Sequence, residues 1–261
     1  MSILTEIKSY KIKEVAQASR LVPLAALKRI TTYSRQPLSI SNAVINGSGI
    51  IAEFKRASPS KGYINKDADV QSVTVSYEDA GVSAISVLTD HEFFKAKKED
   101  LVNARAAVNI PILRKDFVVD DYQIYEAKSI GADAILLIAA ILTSHQVKHF
   151  TDLAHDLGLE VLVEVHNEQE LNQLCGDEDM VGVNNRNLND FSIDLNTSIE
   201  LIKLLGGYPA KISESGISSI ENIKELKSAG YNGFLIGEHF MRSGQIDSAL
   251  SDFVKTSIHN G

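Results

Sequence analysis

The stretch that decides the fold reads Gly49-Ile50-Ile51-Ala52-Glu53-Phe54-Lys55-Arg56-Ala57-Ser58-Pro59-Ser60-Lys61-Gly62. Its apolar run indicates a buried strand, and the Ser-Pro-Ser-Lys-Gly segment ends that strand with turn residues. Glu53 and Lys55 stand two residues apart, so both side chains leave the same face of the sheet if residues 50–55 are extended. Taken alone, this stretch is equally consistent with a structural ion pair and with catalysis. The recurrence of such residues downstream favours catalysis.

Strand-like and helix-like segments alternate after this stretch. Strand-then-helix repeated about eight times predicts an α/β fold, a (β/α)8 TIM barrel. A weak repeat supports it, because at Gly81, Gly131 and Gly230 a glycine closes a predicted helix shortly before a buried strand. An open, doubly wound sheet ranks second, since no G-x-G-x-x-G turn follows the first strand. The predicted strands are 50–55, 84–88, 111–115, 134–138, 160–165, 180–184, 211–214 and 233–236, and the predicted helices lie near 69–80, 98–107, 120–130, 143–157, 167–175, 196–205, 217–229 and 245–257.

Residues 1–47 show a different pattern, with apolar residues at helical spacing and polar residues between them. We interpret them as an amphipathic N-terminal helical extension of a single barrel domain that covers residues 1–261. Its apolar stripe must be buried on the main body.

Composition narrows the class of protein. A chain of 261 residues with 44% hydrophobic and 23% charged residues is typical of a soluble globular protein with a substantial core. The first residues are charged and no apolar run reaches the length of a membrane span, so we expect a cytoplasmic protein without a membrane partner. The net charge of −8 argues against nucleic-acid binding but allows a local basic pocket for an anionic substrate. The single cysteine, Cys175, is more consistent with packing than with catalysis.

Polar and ionisable residues occur at the carboxyl ends of several predicted strands, where a TIM barrel places its active site. So many polar groups inside apolar runs would be costly to bury without a function. Turns after the last two strands contain Gly216 and Gly237, which predict a phosphate site to which Ser58 adds a hydrogen bond; the alternative is that both glycines only form turns. The strand-end residues are Glu53, Lys55, Lys115, Asp116, Glu164, Asn184, Arg186, Glu214 and Ser215.

At these residues the sequence resembles the indole-3-glycerol-phosphate synthase family of tryptophan biosynthesis, over nearly the whole chain. The extension also resembles the extra helices of that family, which pack over the barrel mouth. The matching motifs are Ile51-Ala52-Glu53-Phe54-Lys55-Arg56-Ala57-Ser58-Pro59-Ser60, Pro111-Ile112-Leu113-Arg114-Lys115-Asp116-Phe117, Leu162-Val163-Glu164-Val165-His166, Gly182-Val183-Asn184-Asn185-Arg186-Asn187-Leu188, Ser213-Glu214-Ser215-Gly216-Ile217 and Leu235-Ile236-Gly237-Glu238.

The resemblance implies conversion of 1-(2-carboxyphenylamino)-1-deoxyribulose 5-phosphate to indole-3-glycerol phosphate, with loss of carbon dioxide and water and with no cofactor or metal. It makes Lys115 the general acid, places Lys55 at the substrate carboxylate, and gives Glu164 the later proton transfer. The remaining implied catalytic residues are Glu53, Asn184, Glu214 and Ser215, and the implied substrate-binding residues are Ser58, Phe94, Phe117, Leu136, Arg186, Leu188, Gly216, Gly237 and Glu238.

One departure from the family concerns the loop after the second strand, which commonly reads Phe-Phe-Gly-Gly-Ser in the family. Here it reads Phe93-Phe94-Lys95-Ala96-Lys97-Lys98, and loss of the glycines is expected to stiffen it. Two other functions are kept as alternatives: a Schiff-base aldolase and a non-catalytic barrel that binds a phosphorylated ligand. Phosphoribosylanthranilate isomerase is disfavoured, because it is shorter and uses a Cys–Asp pair that has no counterpart here.

Overall fold

Eight parallel strands pair edge to edge and close into a ring, because the first strand bonds both the second and the last. The computed structural model describes residues 3–188, 190–242, 250–251 and 253–255. The closed ring confirms the predicted TIM barrel and excludes an open sheet. The strands are β1 (Ile50–Phe54), β2 (Ala84–Leu88), β3 (Ile112–Lys115), β4 (Ala134–Ile138), β5 (Glu160–Val165), β6 (Met180–Asn184), β7 (Ala210–Glu214) and β8 (Gly233–Ile236).

The barrel strands are continuous apolar runs because both faces of the sheet are covered. Every residue of β1, β2 and β4 is buried, as expected for parallel strands between a filled interior and an outer ring of helices. The strand register brings the polar ends level with one another. Asn184 pairs with Glu214 across β6 and β7, so these side chains reach the same rim.

Helices alternate with the strands, and at two of them a glycine in the sequence marks the residue where the helix ends. Gly131 and Gly230 close the helices α7 (Asp121–Ile130) and α10 (Ile220–Ala229) in the left-handed conformation, with φ of 91° and 116°, which confirms the glycine signal of the repeat. The predicted helix near 167–175 is a 3-10 helix, Glu168–Gln173. The helices are α1 (Ile3–Leu21), α2 (Leu24–Leu27), α3 (Ile40–Asn46), α4 (Val70–Asp79), α5 (His91–Phe94), α6 (Asp100–Ala107), α7 (Asp121–Ile130), α8 (Ser144–Asp156), α9 (Asn196–Leu201), α10 (Ile220–Ala229) and α11 (Glu238–Arg242).

One predicted helix stays largely untested, and one element of the structure was not predicted. The helix predicted near 245–257 lies largely outside the described residues, which include only 250–251 and 253–255 of it. A short antiparallel ribbon, Ala57–Ser58 with Gly62–Tyr63, follows β1. It was not predicted because its strands are too short to show a period.

The N-terminal region runs along the barrel from the mouth to the base. Near the mouth, Ile7 of α1 is buried. At the base, Arg35 lies 2.5 Å from the buried carboxylate of Asp133, and Ser41 donates from its backbone N–H to Glu160 at the start of β5. None of the helices in the described part of the chain is both long and apolar enough to cross a membrane.

Candidate active site

One cavity of about 580 Å³ lies at the carboxyl ends of the barrel strands. This volume is typical of a small-molecule site. All sixteen catalytic and substrate-binding candidates from the sequence line it: Glu53, Lys55, Ser58, Phe94, Lys115, Phe117, Leu136, Glu164, Asn184, Arg186, Leu188, Glu214, Ser215, Gly216, Gly237 and Glu238.

Lys115 stands at the centre of the polar half of the cavity. It ends β3, and its Nζ lies 3.2 Å from Glu164 Oε2 and donates to Glu214 Oε2. Burial alone would lower the pKa of this ammonium, but the two carboxylates outweigh burial and hold the pKa above its ordinary value. Lys115 is therefore charged, and it has a proton to give.

The two glutamates that contact Lys115 differ in their protonation. Burial would raise the pKa of Glu164, but Lys115 and His166 outweigh burial and hold it below the usual range. Burial, together with the charge of Glu164, raises the pKa of Glu214 to about 7. Within the described residues, Glu214 Oε1 has no hydrogen-bond partner. The cavity thus pairs a carboxylate that stays ionised with one that takes up a proton near neutral pH.

Glu53 and Lys55 form a second acid–base pair on the same rim. Lys55 Nζ lies 2.6 Å from Glu53 Oε1, and the lysine side chain is more exposed than the glutamate, at 17% against 5%. Gly237 provides the space for this pair, because a Cβ added there would lie 2.5 Å from Glu53 Oε1. The glycine that the sequence assigned to a phosphate turn therefore also fits closely against the acid–base pair.

Next to this pair, at the ends of β7 and β8, the cavity is lined by cations and by two residues with positive φ. Ser215 and Gly216, directly after β7, both have positive φ, at 67° and 80°. A side chain at Gly216 would meet Ile193 at 2.4 Å, so this turn needs glycine. Three cations surround the Glu238 carboxylate at 2.9, 3.8 and 3.2 Å: Lys61, Arg186 and Arg242.

Apolar side chains form the remaining wall. The rings of Phe94 and Phe117 lie 6.1 Å apart between centroids. Phe93 points elsewhere, with its ring packed edge-on against Tyr10 at 5.6 Å. Helix α1 adds to the lining three side chains that were not singled out from the sequence: Ile3, Leu4 and Ile7. The apolar stripe and the family resemblance indicated that the extension packs over the mouth, but not which of its side chains enter the cavity.

A buried ionic cluster beneath this wall was also missed. Lys11 of α1 is only 2% exposed and lies 2.7 Å from Asp90 and 3.0 Å from Asp116. Asp90 also caps α5, which carries Phe94. Asp116, predicted as a strand-end group, is therefore tied to Lys11 and to Arg114 at 3.1 Å. A lysine on an amphipathic helix ordinarily faces solvent, so no local pattern indicated this contact.

His145 and His149, four residues apart on α8, are not among the residues that line the cavity. His149 is exposed and contacts Asp121 at 2.8 Å on the outer ring of helices. In the described residues, no group of three or more His, Cys, Asp or Glu side chains is arranged to hold a metal ion.

A family model and individual relatives of known name both assign this chain to the same family. Residues 4–253 match the family model described as indole-3-glycerol phosphate synthase. An indole-3-glycerol phosphate synthase of Bacteroides thetaiotaomicron is 44% identical over 254 residues, covering 97% of this chain and 98% of the relative. That of Thermoanaerobacter pseudethanolicus is 42% identical over 262 residues, covering 99% of this chain and all of the relative.

Two solved structures of low sequence identity match this chain in fold. A thiamine phosphate pyrophosphorylase from Pyrococcus furiosus superposes with a TM-score of 0.61 at 14% identity, covering 84% of this chain and 98% of the other. A mutant tryptophan synthase alpha-subunit from the same organism gives a TM-score of 0.57 at 16% identity, covering 80% and 96%. At these sequence identities the structural similarity supports the barrel fold and carries no information about the reaction, which must be inferred from the residues of the site.

Proposed function

This chain belongs to the indole-3-glycerol phosphate synthase family, carboxy-lyases of tryptophan biosynthesis, and from that premise we propose how its cavity carries out the reaction. The substrate is 1-(2-carboxyphenylamino)-1-deoxyribulose 5-phosphate. Its ring carbon attacks the ketone, carbon dioxide leaves, and water is then eliminated to give indole-3-glycerol phosphate. One observation supports this assignment most strongly: the Lys115 ammonium lies between Glu164 and Glu214, in the same cavity as Lys55 and Glu53.

Lys115 acts as the general acid in ring closure. As the new carbon–carbon bond forms, the electron pair of the ketone moves to its oxygen, and Lys115 gives that oxygen a proton. The carboxylates beside Lys115 keep it protonated until the substrate oxygen becomes more basic. The same contacts disfavour a Schiff-base mechanism, because an amine must be neutral to attack a carbonyl.

Lys55 holds the substrate carboxylate and so keeps the ring carbon close to the ketone. Glu53, at 2.6 Å, orients the lysine. Once carbon dioxide has left, aromaticity of the benzene ring is restored. The apolar wall that includes Phe94 and Phe117 packs against this ring.

Glu164 serves in the final dehydration. An ionised carboxylate takes a proton from the intermediate while the hydroxyl formed from the ketone leaves as water, for which a protonated group supplies the second proton. Asn184 and Glu214, paired across β6 and β7, orient the substrate hydroxyls. Glu214 supplies the proton that leaves with the water, since its pKa is raised to about 7.

The phosphate binds at the cation-rich side of the cavity. Backbone N–H groups after Ser215 and at the start of α11 donate to the phosphate oxygens there, since a glycine follows β7 and another precedes the helix. Arg186 and Lys61 contact the Glu238 carboxylate and turn to the phosphate when the substrate enters. Residues 1–47 complete the site through the side chains of α1 that line it.

The proposal is tested by incubating the purified protein with the carboxyphenylamino substrate and recording indole fluorescence, which is convenient because the chain contains no tryptophan. Lys115→Ala is expected to lower turnover by about 10³-fold. Lys148→Ala is the matched control, since Lys148 is exposed on α8 and pairs with Asp152. A Lys115→Ala enzyme with the rate of the control contradicts the role of Lys115. Borohydride added with the substrate should trap no lysine adduct, and a trapped adduct would favour the aldolase.

A further inference from the structure

His166 lies directly behind Glu164 and has no role in the chemistry above. It follows β5, and its side chain is 9% exposed. Nε2 lies 3.2 Å from Glu164 Oε1, a charge contact without the alignment of a hydrogen bond. Nδ1 lies 3.0 Å from Glu170 Oε2. The imidazole is therefore held between two carboxylates, one inside the cavity and one behind it.

Hydrogen bonds hold the Glu170 carboxylate in place, and this carboxylate in turn orients the imidazole of His166. Glu170 Oε2 also accepts the backbone N–H of His166 at 2.8 Å, and Glu170 Oε1 accepts from Asn167 at 2.7 Å. An imidazole with a carboxylate at each nitrogen is favoured with both nitrogens protonated. Burial would lower the pKa of His166, but the two glutamates outweigh burial and raise it to about 10.

His166 also accounts for the difference in protonation between Glu164 and Glu214. Lys115 contacts both of them, so it cannot by itself decide which one keeps a proton. The charge contacts of His166 are with Glu164 and Glu170. The imidazolium therefore stabilises a negative charge on Glu164 and gives no such help to Glu214.

We propose that His166 is a positioning residue that keeps Glu164 ionised and oriented while Lys115 gives up its proton to the substrate. Lys115 loses its positive charge at that moment, and the imidazolium remains beside Glu164. Glu164 can then act as the base in dehydration. This inference rests on the proposed role of Glu164. The other charged groups around the pair are Lys115 on β3, Glu214 on β7 and Glu53 on β1, with Glu170 behind the imidazole.

The test is the pH dependence of kcat in His166→Gln. Loss of a cation beside a carboxylate raises the pKa of that carboxylate, so the acid limb of the profile should move upward by about one pH unit and kcat on that limb should fall about tenfold. KM should stay unchanged. His149→Gln, which also removes a histidine next to a carboxylate but on the outer helix α8, should leave the limb in place.

Two further measurements cover the case in which His166→Gln folds poorly. Glu170→Gln removes the carboxylate behind the ring and should move the limb in the same direction by less. In the unmodified protein, histidine NMR should show the His166 ring doubly protonated at pH 8. The proposal is overturned if the acid limb of kcat is unchanged in both His166→Gln and Glu170→Gln. It is also overturned if the His166 ring is neutral at pH 8.

Glu164→Gln separates this inference from its premise. If Glu164→Gln is inactive and His166→Gln keeps the wild-type limb, only the inference about His166 is wrong. If Glu164→Gln turns over at the wild-type rate, the role of Glu164 and the inference about His166 both fail.

Discussion

The base and the mouth of the barrel both bury charged side chains, but they differ in how completely the charges are hydrogen-bonded. At the base, Asp133 accepts four hydrogen bonds, two on each carboxylate oxygen. The donors are Arg35 at 2.5 Å, Leu38 N at 2.7 Å, Arg105 at 2.9 Å and Ile112 N at 2.7 Å. At the mouth, Glu214 Oε1 and His166 Nε2 have no hydrogen-bond partner among the described residues.

This difference distinguishes buried charges that stabilise the fold from buried charges that are available to react with a substrate. A buried charge with all its bonds made stabilises the fold, and a substrate could add nothing to it. A buried oxygen without a partner, such as Glu214 Oε1, costs stability until a ligand supplies the missing bond. We therefore expect substitutions at the base to lower stability and substitutions at the mouth to change turnover.

The largest effect on stability is expected at the base. Asp133→Asn replaces a charge that two arginines share, and breaking a buried pair in this way should lower the free energy of unfolding by about 3–5 kcal/mol. Urea denaturation measures it, with exposed Asp156→Asn as the control. Turnover per folded molecule should match the wild type. A stable but inactive Asp133→Asn protein would contradict the division between base and mouth.

The next largest effect on stability is expected at the mouth, where a substitution should raise the free energy of unfolding. The pKa of Glu214 is raised in the folded protein to about 7, so its contribution to stability is present at low pH and is lost as pH rises from the unfolded value through 7. Glu214→Gln removes that loss and should raise the free energy of unfolding at pH 8 by about 1–3 kcal/mol while lowering kcat. At pH 4 the gain in stability should vanish. A gain that does not depend on pH would show that the pKa of Glu214 is not raised.

A third prediction concerns the ion cluster that joins α1 to the mouth. Lys11→Met leaves the Asp90 and Asp116 carboxylates without this cation and should loosen a wall of the cavity. We expect KM to rise about tenfold, which corresponds to ~1.4 kcal/mol of binding free energy. Lys13→Met, an exposed position on the same helix, should have the wild-type KM. Equal KM values for the two variants would show that this cluster does not shape the site.

The smallest effect is expected in the loop after β2. Lys95 has a φ of 54° where the family commonly has glycine, and this conformation is strained for a residue with a side chain. Lys95→Gly should raise the free energy of unfolding by about 0.5–1 kcal/mol. Lys98→Gly, exposed but without positive φ, should lower it slightly. Destabilisation by both substitutions would contradict the strain at Lys95.

The sequence predicted what depends on neighbours along the chain. The barrel strands appeared as apolar runs, and the glycine at Gly131 marked a helix end because only a local conformation is required there. The residues that line the cavity were found because parallel strands end at one rim and because their motifs resemble a family. The unequal protonation of Glu164 and Glu214 could not be found in this way, since it depends on distances to Lys115 and His166 across the barrel.

The remaining features depend on contacts that the sequence does not display. Lys11 reads as a surface lysine, and nothing in its neighbours indicates two aspartates at the barrel mouth. Arg35 and Asp133 are 98 positions apart, so their pairing follows from the fold and not from local pattern. The positive φ of Lys95 is hidden for a different reason, because a lysine gives no sign of a left-handed backbone.

The N-terminal region, bound at both mouth and base, has a consequence for synthesis of the protein. Its partners are made much later: Ser39 bonds Glu160, 121 positions on, and Lys8 bonds the backbone of Ile141, 133 positions on. This region is therefore synthesised well before its partners, and its apolar stripe stays uncovered until a further 121 to 133 residues have been added. In the nascent chain that uncovered stripe is a surface available for unwanted association.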